Sequence, residues 1–209
     1  MLSPSRLAPL AVLLLTLSAC GGEDGSEPGP DREPQDTSGQ EVLVDSLDLT
    51  FHVPNGWVTF EASAPPSATD PVLRSVAERL EVKPAVFAER IASGAMMQLY
   101  SDQPAPQGLL DSATVIGLLI RELPDEAALE NQLDELGAVE VDIRRADTAA
   151  GEALVVHYEL GRTDAVTVYG EAAYLDVGRE VAVITVSSVN QDRATELGRL
   201  VLDSVDVRS

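Results

Sequence analysis

The sequence predicts an α+β fold, an antiparallel β-sheet flanked by helices. Two observations predict it. Four strand-like segments follow one another without a helix between residues 138 and 189. Consecutive strands joined by short turns pair antiparallel, whereas a parallel sheet needs a crossover between strands. Amphipathic helical patterns stand before, within and after the strands, so helices should cover the sheet faces.

The elements follow in order. Leu47, Leu49, Phe51 and Val53 alternate with polar residues, which is the period of a half-buried strand. Pro54-Asn55-Gly56 is a turn signal, and Trp57-Val58-Thr59-Phe60 reads as the returning strand of a hairpin. The turn aims Trp57 back over the strand pair as a core anchor. Asp70-Pro71 opens a helix, with Asp as the cap and Pro at the first helical position. Val72, Val76 and Leu80 form its apolar stripe. Pro84 interrupts that pattern, so a second helix is expected over 84–92, ended at Gly94. Residues 95–100 (AMMQLY) read as a strand, 103–109 as a loop, and 114–120 (TVIGLLI) as a strand buried on both faces.

Asp125 caps the next helix. Ala128, Leu129, Leu133 and Leu136 share its inner face, and Gly137 stops it. The four strands follow. Val139, Val141 and Ile143 alternate, as do Leu154, Val156, Tyr158 and Leu160. Residues 166–177 and 180–189 form a hairpin across Asp176-Val177-Gly178-Arg179. Asn190 or Asp192 caps the last helix, with Ala194, Leu197, Val201 and Val205 facing inward.

The first forty residues concern address rather than fold. One basic residue, Arg6, precedes an eleven-residue apolar run, 7–17. A membrane-spanning helix needs about 20 such residues, so the run reads as the core of a secretory signal peptide. Small residues follow at Ser18 and Ala19, then Cys20, the single cysteine of the chain. With no second cysteine there is no disulfide, and the core must hold the fold unaided. Residues 21–40 contain no aliphatic or aromatic side chain and read as a disordered acidic linker. The expected organisation is a signal peptide over 1–19, Cys20 and its linker over 20–40, and one globular domain over 41–209.

From Cys20 onward, 13 basic residues stand against 35 acidic ones, a formal charge of −22. This argues against a nucleic-acid partner, which requires a basic footprint. It also argues against electrostatic docking on anionic lipid. Lys83 is the one lysine beside thirteen arginines. That bias, with abundant Ala, Val and Gly, suggests a GC-rich genome.

Residue types suited to a catalytic or metal site are scarce. His52 and His157 are the only histidines, and both fall in strand patterns. One histidine without cysteine partners is a poor metal ligand set, and His157 reads as a surface or internally satisfied residue. Ser187-Ser188 has no evident Asp-His partnership. The string Asp125-Glu126, Glu130, Asp134-Glu135 has the spacing of a solvated helix face. These readings predict no catalytic residue, no cofactor and no metal. A low-aromatic interior leaves room for an apolar ligand groove, for which Met96, Leu99, Tyr100, Leu109 and Tyr158 are the candidate lining.

Two resemblances add to this. Leu17-Ser18-Ala19-Cys20 resembles the lipobox of bacterial lipoproteins. This implies cleavage before Cys20, acylation of its sulfur and diacylglyceryl anchoring on the extracytoplasmic face of the cell membrane. Two acyl chains, at about 0.8 kcal/mol per buried methylene, suffice for stable attachment. LDLTFHVPNGW resembles the opening of PsbP-like domains, and GEALVVHYEL, GEAAYLDVGREVAVITVSS and the closing helix fit the same family. The domain is similar to that of actinobacterial lipoproteins of the LpqN type. The resemblance implies a PsbP-like α/β/α sandwich, an actinobacterial source and a non-catalytic role in binding an envelope lipid, glycan or protein. An envelope hydrolase with an unrecognised active site is the alternative.

Overall fold

The computed structural model describes residues 39–104, 110–163 and 166–208. The segment expected to be a signal peptide, Cys20 and most of the expected linker lie outside the described residues, as does Leu109.

Ten strands, four α-helices and one 3-10 turn of helix, Asp45–Leu47, occur among the described residues, so the expected strand starts at Leu49 rather than Leu47. The strands are β1 (Gln40–Val44), β2 (Leu49–Val53), β3 (Val58–Glu61), β4 (Met97–Pro104), β5 (Leu110–Leu118), β6 (Ala138–Thr148), β7 (Gly151–Thr163), β8 (Val166–Asp176), β9 (Val181–Ser188) and β10 (Asp206–Val207). The helices are α1 (Pro71–Arg79), α2 (Pro84–Ser93), α3 (Glu126–Glu135) and α4 (Gln191–Ser204). A seven-stranded sheet has the order β3-β4-β5-β9-β8-β7-β6, and a three-stranded sheet the order β1-β2-β10. Every pairing is antiparallel.

The layers follow from which side chains each face buries. The small sheet and α4 cover one face of the large sheet, joining Val42, Leu49 and Phe51 to Leu99, Val115, Val155, Ile184 and Leu197. The other face carries two separate helix pads. Under α1 and α2 lie Phe60, Tyr100 and Leu110, with the Phe60, Phe87 and Tyr100 rings in mutual contact. Under α3 lie Leu154, Val156, Tyr158, Tyr174 and Val183.

The caps form as the sequence predicts. The Asp70 side chain accepts from Val72 N and Leu73 N, and Asp125 from Ala127 N and Ala128 N. Asn190, not Asp192, caps α4 by accepting from Arg193 N. Helix α2 runs to Gly94, and Gly137 after α3 adopts φ +77°, a left-handed conformation natural to glycine. The β8–β9 hairpin turns at 177–180, closed by Val177 N donating to Glu180 O.

Several elements differ from expectation. Residues 47–53 and 57–60 do not form a hairpin. Both edges of β2 are occupied, by β1 and β10, so the chain crosses at Pro54-Asn55-Gly56 and β3 joins β4 in the large sheet. Trp57 sits at that crossing, buried in the first core cluster. Strands β1 and β10 were not anticipated; β1 reads QEVLV, whose Val42-Leu43-Val44 does not alternate, and β10 has two residues. Gln40 already pairs with Val53, so the ordered strand starts inside the segment assigned to the linker. On α1 the buried set is Leu73, Val76, Ala77 and Leu80, while Val72 is 48 % exposed. At about 100° per residue the buried set forms an arc displaced toward Leu73 and Ala77, and Val72 falls outside its edge. Strand β5 ends at Leu118 and leaves Leu119 96 % exposed, so 114–120 is not buried throughout. Leu136, at the α3 C-cap, is also exposed.

The β6 pattern breaks for a clear reason. Val139 opposes Glu159 and Asp142 opposes His157, so β6 carries one extra residue at a bulge, where Glu140 takes φ +55°. A bulge reverses side-chain parity. Val139 is therefore exposed on the α4 face, while Val141 and Ile143 pack on the α3 face.

Candidate functional site

The residues expected to line one groove are not brought together. Leu99 packs in the cluster beneath the small sheet, with half-buried Met96 against it. Tyr100 is in the α1/α2 cluster and Tyr158 in the α3 cluster. Leu99 and Tyr100 are neighbours on a strand, so they point to opposite faces. Leu99, Tyr100 and Tyr158 are buried. Burial pushes the Tyr158 hydroxyl up to about 12, partly opposed by its hydrogen bond to Ser187. The Tyr158 ring lies directly over Gly170, where a Cβ would come within 2.3 Å of it. Glycine there lets the ring cross β8 to reach Ser187 on β9.

Between the two helix pads, the same sheet face bears a polar strip. Cross-strand pairing places Gln98, Thr114 and Thr185 in one row across β4, β5 and β9, and Tyr100, Ser112 and Ser187 in the next. The Tyr100 hydroxyl donates to Gln98 Oε1 at 2.9 Å. Burial raises the Tyr100 pKa, and the nearby Arg90 guanidinium lowers it. Two buried side-chain polar atoms among the described residues have no hydrogen-bond partner, Arg90 Nη1 and Thr185 Oγ1. Thr185 lies in the strip, and Arg90 acts on its β4 end through Tyr100. A buried donor without a partner costs about 1–3 kcal/mol.

The opposite face carries a charged ladder. Asp142, His157 and Glu171 lie directly across from one another on β6, β7 and β8. Glu171 is 6 % exposed, with Arg144 Nη2 at 3.6 Å. Burial raises the Glu171 carboxyl above the usual range, and the charges of Arg144 and His157 pull it back in part. Gly198 of α4 makes the room: a Cβ there would stand 2.4 Å from the Glu171 carboxyl. This ladder can hold a proton at a higher pH than a solvated carboxylate would. Among the described residues no three His, Cys, Asp or Glu side chains are placed to hold a metal ion.

A third polar group closes the start of α4. Ser188 Oγ donates to Asp111 Oδ1 at 2.7 Å, and Arg193 Nε meets Asp111 Oδ2 at 3.3 Å. Each member is satisfied, so this is a structural tie between β5, β9 and α4.

Sequence reasoning missed Arg90, Gln98, Thr185 and Glu171. The available signal was a polar residue at a core-parity position. Thr185 interrupts the apolar run VAVITV, and Glu171 stands between Tyr169-Gly170 and Ala172-Ala173.

No family model matches the chain, and no curated protein matches it. Solved structures do. The cyanobacterial PsbP (CyanoP) of Synechocystis sp. PCC 6803 is 13 % identical, with a TM-score of 0.51 over 86 % of this chain and 98 % of that one. The Ran-binding protein Mog1p of Saccharomyces cerevisiae is 14 % identical, with a TM-score of 0.43 over 82 % and 96 %. LpqN, involved in cell envelope biogenesis of Mycobacterium tuberculosis, is 11 % identical, with a TM-score of 0.43 over 82 % and 86 %. The antiparallel α+β architecture and its likeness to CyanoP identify the fold as PsbP-like.

Proposed function

We propose that the protein is a lipid-anchored binding module of the cell envelope in an actinobacterium. In this reading Cys20 carries the diacylglyceryl anchor and the polar linker holds the domain off the membrane. The domain then binds an envelope lipid, glycan or protein without chemistry of its own. The address rests on Leu17-Ser18-Ala19-Cys20 behind the apolar run. No helix among the described residues is long and apolar enough to cross a membrane. The binding role rests on one observation: the domain leaves two buried polar atoms, Arg90 Nη1 and Thr185 Oγ1, without partners. Folded interiors satisfy such groups almost always, through protein groups or ordered water, and in this reading a ligand takes that place.

The test has two parts. Wild-type protein is expected in the membrane fraction and Cys20→Ser in the soluble fraction; equal membrane retention of the variant overturns the anchor. Full-length protein in detergent is then used to capture envelope components. Failure to enrich any component over a detergent control overturns the binding role. An envelope hydrolase keeps one observation in its favour, the raised Glu171 carboxyl beside His157. Ester or glycoside hydrolysis that vanishes in Glu171→Gln decides for it.

A further inference from the structure

The polar strip has a chemical bias. Arg90 carries a positive charge and only donates hydrogen bonds. None of the ion pairs among the described residues includes it. Its Nη1 is buried without a partner. In a chain of formal charge −21, with 35 carboxylates, a half-buried guanidinium that joins no ion pair among the described residues is conspicuous. Burying an unpaired charge is costly, and a paired, hydrogen-bonded one much less so. The surrounding groups share the bias toward donation. The Gln98 Oε1 acceptor is already used by the Tyr100 hydroxyl, which leaves the Gln98 amide N–H groups to donate. That Nε2 end faces the turn at Gly94, where a Cβ would stand 2.8 Å from it. Further along the row, the unpartnered Thr185 hydroxyl adds another donor beside Thr114.

We infer that the seam between the α1/α2 pad and the α3 pad is an oxyanion site. Arg90 and the Gln98 amide hold a phosphate or carboxylate group of the ligand, and Thr185 binds an oxygen further along it. The rows of the strip are polar, so the ligand is a small anion-bearing molecule or headgroup rather than a neutral acyl chain. This deepens the binding reading and rests on it. It also departs from the expectation of an apolar ligand groove, because Leu99, Tyr100 and Tyr158 of that groove do not meet.

The experiment uses the full chain in detergent, with inorganic phosphate, glycerol 3-phosphate and short-chain phosphatidylglycerol as separate probes. Binding is read from the Arg90 Nε–Hε NMR resonance and from the thermal midpoint. Saturable shifts of the Arg90 signal with a raised midpoint are expected. Response to phosphatidylglycerol alone assigns a lipid headgroup, and response to all three a free phosphate group. Arg90→Gln is expected to weaken binding more than tenfold and Thr185→Val several-fold. Without probe, Arg90→Gln should melt no lower than wild type, because it removes a charge that nothing in the domain pairs. A lower melting point with unchanged probe binding makes Arg90 a structural residue and overturns the site. So does the absence of any saturable response to all three probes. If envelope capture persists unchanged in Arg90→Gln, the site falls and the binding role stands; if wild type captures nothing, both fall.

Discussion

Glu171 has the environment furthest from that of a solvated carboxylate. Its pKa is raised in the folded state, mainly by burial. The folded protein therefore favours the protonated form. The stability this contributes is present below the unfolded-state value and is lost as pH rises through the raised one. Glu171→Gln keeps the shape and removes the charge, so it should flatten that fall; denaturant midpoints of both proteins at pH 4 and pH 7 measure it. An equal slope in the variant would show that another group governs the pH dependence. Gly198→Ala places a methyl into the Glu171 carboxyl. A loss of about 1–3 kcal/mol is expected, as for other overpacked sites, with partial recovery in Gly198→Ala/Glu171→Ala. Trp57 fills the crossing between the two sheets, and Trp57→Ala should cost about 3–5 kcal/mol. Wild-type stability with lost partner capture would make it a binding contact instead.

At the scale of elements, the capping aspartates test how much the helices depend on their ends. Asp70 and Asp125 each accept two backbone N–H groups that water would otherwise have to satisfy. Asp70→Ala and Asp125→Ala should each lose about 1 kcal/mol. The two caps lie on different pads, so the losses should add in the double variant; equilibrium unfolding of all three checks both points. Helix starts were legible in the sequence because a cap is local chemistry within four residues. The bulge in β6 was not, since nothing at Glu140 marks it and only pairing with β7 reveals the extra residue. The first hairpin was misread for a similar reason. Its turn residues were identified correctly, but which strand receives the next one depends on which edges are free.

For the molecule as a whole, charge and topology set the expectations. A formal charge of −21 makes the compact state repel itself. Raising ionic strength from about 0.01 to about 0.15 M shortens the screening length from about 30 to about 8 Å. The thermal midpoint should rise over that interval; a fall would mean that ion pairs outweigh the repulsion. Among the described residues the ion pairs are mostly exposed, but Arg193–Asp111 is largely buried and ties α4 to the large sheet. Both ends of the described chain meet in the small sheet, where β1 and β10 flank β2. An amino-terminal tether would therefore leave the domain beside its carboxyl terminus, away from the seam between the helix pads.

The sequence by itself determined the α+β class, the antiparallel run of the last four strands, three helix starts and most of the core. Each depends on periodicity or on capping within a few residues, and such rules act locally. The tertiary structure alone decided that β2 and β3 part into different sheets, that a bulge turns Val139 outward, and that Leu99 and Tyr100 serve different cores. It also decided the candidate sites. The Thr185 hydroxyl is left without a partner, and Glu171 sits against Gly198 27 residues further along the chain. Partnership and desolvation are properties of residues distant in sequence, and only the folded chain brings those residues into contact.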